Sequence, residues 1–443
     1  MKQRLDREIR ALALPALGAL AADPLVSMVD TAFVGRLGVL PLAALGINAS
    51  VFSLAFVIFN FLAYATTPAI ARAVGQGAPD EAGQVAVHAL TLALLAGTGA
   101  LVLLQLLADP ILALMGASGD LREPAGTYLR IRALAGPAVL FMIAGHGIFR
   151  GWQDTRTPLW LTLAMNLINL VLDPLLIFGL GWGLGGAALA TTVAQWAGAL
   201  LFAWAIFGPR RTQLHVRAHV PRWRDLLPLV RVGGALGVRT LSLVGTMTLA
   251  TAVAARLGAI EVAAHQIAVQ LWLLLALVVD ALAVAGQAMV ARYRDAGPSQ
   301  GVTARAAADR LLQWGLATGV ALAVLFFVTS PWLPYLFTDA PAVVQMTMVV
   351  LPFVIAMQPL NALVFVWDGI FMGAEAFGSL ARQMLLAAFL ASTVLLAVRL
   401  MGGGLMGVWW GIVTLMLVRA ATLAWAYWGP RSGCLLGRAE ASS

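Results

Sequence analysis

A chain of 443 residues that is 61% hydrophobic and only 11% charged, with a mean hydropathy of +0.89, lacks the polar surface that a soluble protein of this size needs. Its formal charge of +8 would in a soluble protein point to nucleic acid, but the basic residues sit mostly in short loops, so membrane topology accounts for them and no nucleic-acid partner is expected. Of the 28 basic residues only Lys2 is a lysine, a bias of composition that leaves no G-x-x-x-x-G-K-[ST] phosphate loop and excludes ATP-driven transport by this chain alone.

Gly, Pro and charge divide the chain into twelve apolar spans, each long enough to cross roughly 30 Å of hydrocarbon as a helix. The first six start near residues 9, 42, 83, 124, 157 and 185. Lys2, Arg4, Arg7 and Arg10 before the first span, and "ALAAD" at Ala19–Asp23 within it, imitate a secretory leader and its cleavage site. The span has a counterpart later in the chain and is read as retained. It carries Asp23 and Asp30, seven residues apart and so on one face, about 10 Å apart along the axis. Pro15 and Pro24 each remove a backbone donor from the same helix. The fourth span ends in "HGIFRG", His146–Gly151. The fifth, ending in "LINLVLDPLLIFG", places Asn166, Asn169 and Asp173 at i, i+3 and i+7 on one face, followed by Pro174. The sixth holds Thr191 and Thr192.

"GPRRTQLHVRAHVPRWRD", Gly208–Asp225, is the longest and most basic connection and is read as a cytoplasmic linker. It separates an N-terminal six-helix lobe, 1–207, from a C-terminal lobe, 226–430, with a cytoplasmic tail at 431–443. His215 and His219 lie in this linker without an acid beside them, and no HExxH pattern occurs. The second lobe's spans start near 227, 261, 304, 342, 378 and 404 and carry His265, Asp280 and Asp368. Cys434, in the tail, is the sole cysteine, which excludes an internal disulfide and a thiolate metal cluster.

The two halves repeat one another. "GRLGVLPLAALGI" at Gly35–Ile47 matches "ARLGAIEVAAHQI" at Ala255–Ile267, and the register runs on to Ala71–Arg72 and Ala291–Arg292. Pro137 then pairs with Pro359, and "HGIFRG" with "DGIFMG" at Asp368–Gly373. Six spans per half make this a parallel duplication, and two pseudo-symmetric lobes around a cavity are expected. Both termini and the even-numbered loops hold about 20 of the 28 basic residues, which predicts both ends in the cytoplasm. Arg122, Arg130 and Arg132 fall on the other side.

Five acids lie well inside predicted spans: Asp23, Asp30, Asp173, Asp280 and Asp368. A charged Asp near a helix centre costs at least about 2.5 kcal/mol on insertion scales, so such residues usually face a cavity or a partner. Few arginines fall inside the spans, and the acids are read as cavity groups. Carboxylates, an amide oxygen, threonine hydroxyls and a carbonyl freed by proline can bind a proton, or Na⁺ by oxygen ligation. Burial in general favours the protonated carboxyl and a cationic substrate favours its release, an opposition that is the physical basis of antiport. Each proton moving inwards releases about 1.4 kcal/mol per pH unit and about 2.3 kcal/mol per 100 mV, enough to drive export without ATP. Asp280 and Asp368, with Asp23, are assigned to a secondary polar pocket. His146 and His265 are read as packing or cavity-wall residues, and Met28, Met142, Met165, Trp272 and Trp367 as greasy wall.

"MVDTAFVGRLG" at Met28–Gly38, "FRGWQDTRTPL" at Phe149–Leu159, "NLVLDPLLIFG" at Asn169–Gly179 and "AAHQIA" at Ala263–Ala268 resemble the multidrug and toxic compound extrusion (MATE) family. "AADP" before "VDT", and "FVWDGIFMGAEAF" at Phe365–Phe377, are most similar to its DinF-type branch. The resemblance covers nearly the whole chain. It implies an all-α polytopic membrane protein with twelve helices in two bundles, forming a V that opens alternately to either side. It further implies export of cationic or amphipathic organic compounds in exchange for H⁺ or Na⁺, with no other cofactor. Carried over by motif, the cation site comprises Asp30, Asn169 and Asp173, completed by Thr191 or Thr192. Asp368 falls near an acid that other branches use for coupling.

The expectation is therefore a secondary active exporter, not an enzyme, acting as a monomer among the lipids of the inner membrane. The rival readings are an organic-acid exporter or a lipid-precursor flippase of the same superfamily. A flippase would need several cavity arginines, and an intramembrane enzyme would need a nucleophile or metal constellation that the histidines and the lone cysteine do not supply.

Overall fold

The structure, a computed structural model, describes residues 2–115, 117, 119–217, 219–294 and 303–429, and among these the regular elements are all helical. The expected tail and Cys434 lie outside the described residues. The chain forms two compact units, one from Leu14 to Gly233, the other from the residues up to Ala13 together with the chain from Gly234 onward. The division passes through two long helices, α1 (Lys2–Gly35) and α10 (Trp223–Leu257).

The Leu14–Gly233 unit continues from α1 with α2 (Val39–Val57), α3 (Phe61–Gly75), α4 (Pro79–Leu106), the short α5 (Ala108–Leu114), α6 (Arg122–Ala133), α7 (Gly136–Gly151), α8 (Arg156–Pro174) and α9 (Gly183–Phe207). The other unit continues from α10 with α11 (Ala259–Arg294), α12 (Ala304–Thr329), α13 (Pro341–Ala356), α14 (Gln358–Gly373), α15 (Phe377–Met401) and α16 (Gly404–Trp428). Among the described residues, 10 helices are long and apolar enough to cross a membrane, and Leu40–Gly75 runs through a 3₁₀ turn as one of them. Two further spans are bent pairs: Gly119–Ala133 with α7, at 48°, and α13 with α14, at 51°. Counting each pair as one span gives the predicted 12.

The bends have a common cause. Pro137 and Pro359 stand in the first turn of α7 and α14, where the missing N–H costs nothing but the preceding helix cannot continue straight. Each proline is packed against a glycine of a neighbouring helix. A Cβ on Gly97 would lie 2.5 Å from Pro137 Cα, and one on Gly319 would lie 2.8 Å from Pro359 Cα. The duplication thus preserves a backbone contact as well as a sequence pattern.

Packing within each unit follows membrane logic. Lipid offers apolar side chains no incentive to leave it, so close backbone approach through small residues does the work. Ala86, Ala93, Ala138, Ala144 and Ala194 are fully or almost fully buried, whereas Leu95, Leu103, Leu106 and Trp160 are exposed.

The basic linker folds back onto the Leu14–Gly233 unit. His215 Nδ1 lies 3.2 Å from Asp80 Oδ1 at the start of α4, and its ring stacks parallel to Trp152 at 6.3 Å. His219 Nε2 is 3.4 Å from His88 Nε2. The expectation that no acid accompanies the linker histidines is corrected here. Asp80 is 135 residues away in sequence and reaches His215 only through the fold.

Candidate functional site

Six elements of the Leu14–Gly233 unit build a cavity of about 400 Å³: α1, α2, α6, α7, α8 and α9. The α8 face carries Asn166, Asn169 and Asp173, all buried, with Asp173 fully so. Beyond Pro174 the backbone widens into a π turn, Leu175–Gly179, in which Leu180 N–H reaches back to the Leu175 carbonyl at 2.9 Å. Pro174 has no N–H for the carbonyl four residues before it, and the wider turn follows from that loss.

Asn169 organises one end of the cavity. Its amide donates to Asp173 Oδ2 at 3.2 Å and stands 3.5 Å from Thr191 Oγ1, which in turn donates to the Ala187 carbonyl at 2.9 Å. Asp30, from α1, brings its carboxyl beside that of Asp173, so that each acts electrostatically on the other. Asp30 Oδ1 and Asp173 Oδ1 are buried and receive no donated hydrogen bond. Two carboxylates so placed repel one another unless a proton or a cation lies between them. Their unclaimed oxygens, with Asn169 and Thr191, are hard donors of the kind Na⁺ takes, so the residues fit either ion. Among the described residues no group of three or more His, Cys, Asp or Glu side chains could hold a metal.

Several residues depart from expectation. Thr192 does not face the cavity: its hydroxyl donates to the Ala188 carbonyl at 2.8 Å and reaches the Ile131 carbonyl at 3.2 Å, tying α9 to α6. Position along α9 does not separate two adjacent threonines; rotation about the helix does, and it turns Thr191 to the cavity. Asp23 is not grouped with Asp280 and Asp368. It lines the same cavity as Asp30 and accepts a hydrogen bond from Asn166 Nδ2 at 2.9 Å.

Asp368, in the other unit, is an ion-pair centre. Arg239 Nη2 on α10 approaches its Oδ2 at 2.5 Å, and Arg419 on α16 binds the same oxygen. Asp280, on α11, lies near enough to act electrostatically on Arg419. The expected open polar pocket is thus, at Asp368, a buried cluster of opposite charges. A carboxylate in a dry interior needs its counter-charge at hand. Arg239 and Arg419 both lie inside predicted spans, and counting basic residues there would have found them.

Arg132 is the other residue missed from sequence. Assigned to an outer loop, it is the penultimate residue of α6, turned into the cavity, with Nη1 2.6 Å from Gln195 Oε1 and its guanidinium 5.2 Å from the Phe52 ring. It acts electrostatically on both Asp30 and Asp173. His146 lines the wall as expected, 3.3 Å from Thr162 Oγ1, among the apolar side chains of Met142, Met165 and Val26.

A family model described as MatE matches residues 15–175 and again 236–400, one match in each half of the duplication. Protein DETOXIFICATION 44, chloroplastic, of Arabidopsis thaliana is 38% identical over 97% of this chain and 83% of its own length. DNA damage-inducible protein F of Escherichia coli (strain K12) is 28% identical over 96% and 92%. A crystal structure of MATE in the bent conformation superposes with a TM-score of 0.87 at 25% identity, covering 95% of this chain and 94% of the other.

Proposed function

Because this chain belongs to the MatE family of integral membrane transporters, we propose that it is a secondary active antiporter that expels small cationic or amphipathic organic toxicants in exchange for H⁺ or Na⁺. It is a transporter and not an enzyme. The observation that carries the reading is the pair of adjoining carboxyls, Asp30 and Asp173, with unclaimed buried oxygens, at one end of a cavity large enough for an organic molecule. One proton or one Na⁺ between them, with Asn169 and Thr191 as neighbours, relieves their repulsion. A positively charged cargo in the same cavity is disfavoured while that ion is bound and favoured once it has left, so entry of one from one side promotes release of the other on the opposite side.

The similarity to DNA damage-inducible protein F supports a DinF-like branch. The arginine distribution supports both termini in the cytoplasm of an inner-membrane protein. An organic-acid exporter or a lipid-precursor flippase is not favoured, since Arg132 is a single arginine set against Asp23 and Asp30 in the cavity wall.

The test is efflux from proteoliposomes under separately imposed H⁺ and Na⁺ gradients. The unmodified protein follows one of the two gradients, and Asp30→Asn or Asp173→Asn abolishes gradient-driven export while the protein still elutes as a folded species. Undiminished export in either variant would overturn the assignment.

A further inference from the structure

The exchange just described uses Asp30 and Asp173 and leaves Asp23 without a task. Asp23 sits two helical turns earlier on the same face of α1, about 10 Å from Asp30 along the axis, and opens onto the same cavity. Its Oδ1 accepts from the amide of Asn166, a side chain only 7% exposed, while among the described residues no donor is assigned to its Oδ2. No basic side chain among the described residues pairs with it. The Asp30 end is different, because Arg132 acts on both carboxyls there and repels a positively charged ligand. The cavity wall also carries the apolar Val26, Met142 and Met165, and its polar groups include Ser27 and the His146 and Thr162 pair.

We propose that Asp23, steadied by Asn166, seats the positively charged head of the substrate, a lipophilic organic monocation whose apolar body lies along Val26, Met142 and Met165. Recognition of cargo charge then falls on Asp23, and carriage of the coupling ion on Asp30 together with Asp173 of α8. A carboxylate with one oxygen tied to an amide and the other free is suited to a quaternary or substituted onium ion, which needs charge and contact rather than donated hydrogen bonds. Asn166 fixes the carboxylate without neutralising it, as an arginine would.

The proposal rests on the efflux reading, and the experiment separates the two. Methyltriphenylphosphonium and triphenylphosphine oxide have nearly the same shape and differ in charge. Their binding to purified protein is measured by calorimetry and their gradient-driven export in proteoliposomes. If the unmodified protein exports neither compound under any gradient, the efflux reading fails. If it exports the cation, Asp23→Asn is expected to raise the cation's Kd at least about tenfold relative to that of the neutral compound. Asp23→Glu, which keeps the charge, is expected to restore most of the difference. The Asp30→Asn/Asp173→Asn double variant is expected to keep cation binding within about threefold while losing coupled export. Equal losses for both compounds in Asp23→Asn, or loss of cation binding in the double variant, overturns the proposal. So does a change in Asp23→Glu of which ion gradient drives export. Should Asp23→Asn fail to fold, the double variant and Asp23→Glu decide the matter alone.

Discussion

At the scale of single residues, the structure divides intramembrane acids by whether a counter-charge accompanies them. Asp368 is clasped by Arg239 and Arg419, whereas Asp30 and Asp173 have each other and the more distant Arg132. Removing one partner of a buried ion pair costs about 3–5 kcal/mol, because the remaining charge is stranded. Asp368→Asn should therefore lower the melting temperature in detergent by many degrees, while Asp30→Asn leaves melting close to that of the unmodified protein and abolishes coupling. Similar melting for both would contradict this division. The two threonines split in the same way. Thr191→Ala should weaken ion-coupled export several-fold, and Thr192→Ala should cost about 1 kcal/mol of stability with its loss of the α6 contact. The shared face of Asn166, Asn169 and Asp173 was readable in advance, since residues at i, i+3 and i+7 stand together on a helix. Arg132 was not, because its charge placed it outside and only the fold of the α6 end turns it inward. Asp23 was read on the correct face and assigned to the wrong group, since spacing along α1 says nothing about which helix stands opposite.

At the scale of elements, the twelve spans were legible because crossing hydrocarbon demands long apolar stretches, and Gly, Pro and charge mark their ends. The bends at Pro137 and Pro359 were visible only as a matched pair of prolines. Their geometry depends on Gly97 and Gly319, which lie on helices the sequence does not bring near them. Gly97→Ala and Gly319→Ala each force a methyl into a backbone, an overpacking worth about 1–3 kcal/mol. Both variants should unfold several degrees earlier in a thermal scan, by similar amounts, as duplicated positions should. An unshifted transition for either would show that the bent pair can slide to make room. The linker makes a weaker claim: His215 meets an exposed Asp80, so His215→Ala should change stability by no more than about 1 kcal/mol.

At the scale of the whole molecule, orientation can be checked with chemistry the chain already carries. Cys434 is its only cysteine and lies beyond the described helices. A membrane-impermeant maleimide added to right-side-out vesicles should leave the protein unlabelled until the membrane is opened. Labelling of intact vesicles would place the C-terminus outside and reverse the topology. One feature of the cavity reaches further than any single position. Its wall includes Val26, Met142 and Met165, side chains that ask for contact but dictate no direction. On the function proposed above, exchanging one of them redraws which molecules fit and leaves Asp30 and Asp173 untouched. A cell facing a new poison can thus revise the cargo list one codon at a time without rebuilding the machinery that powers expulsion.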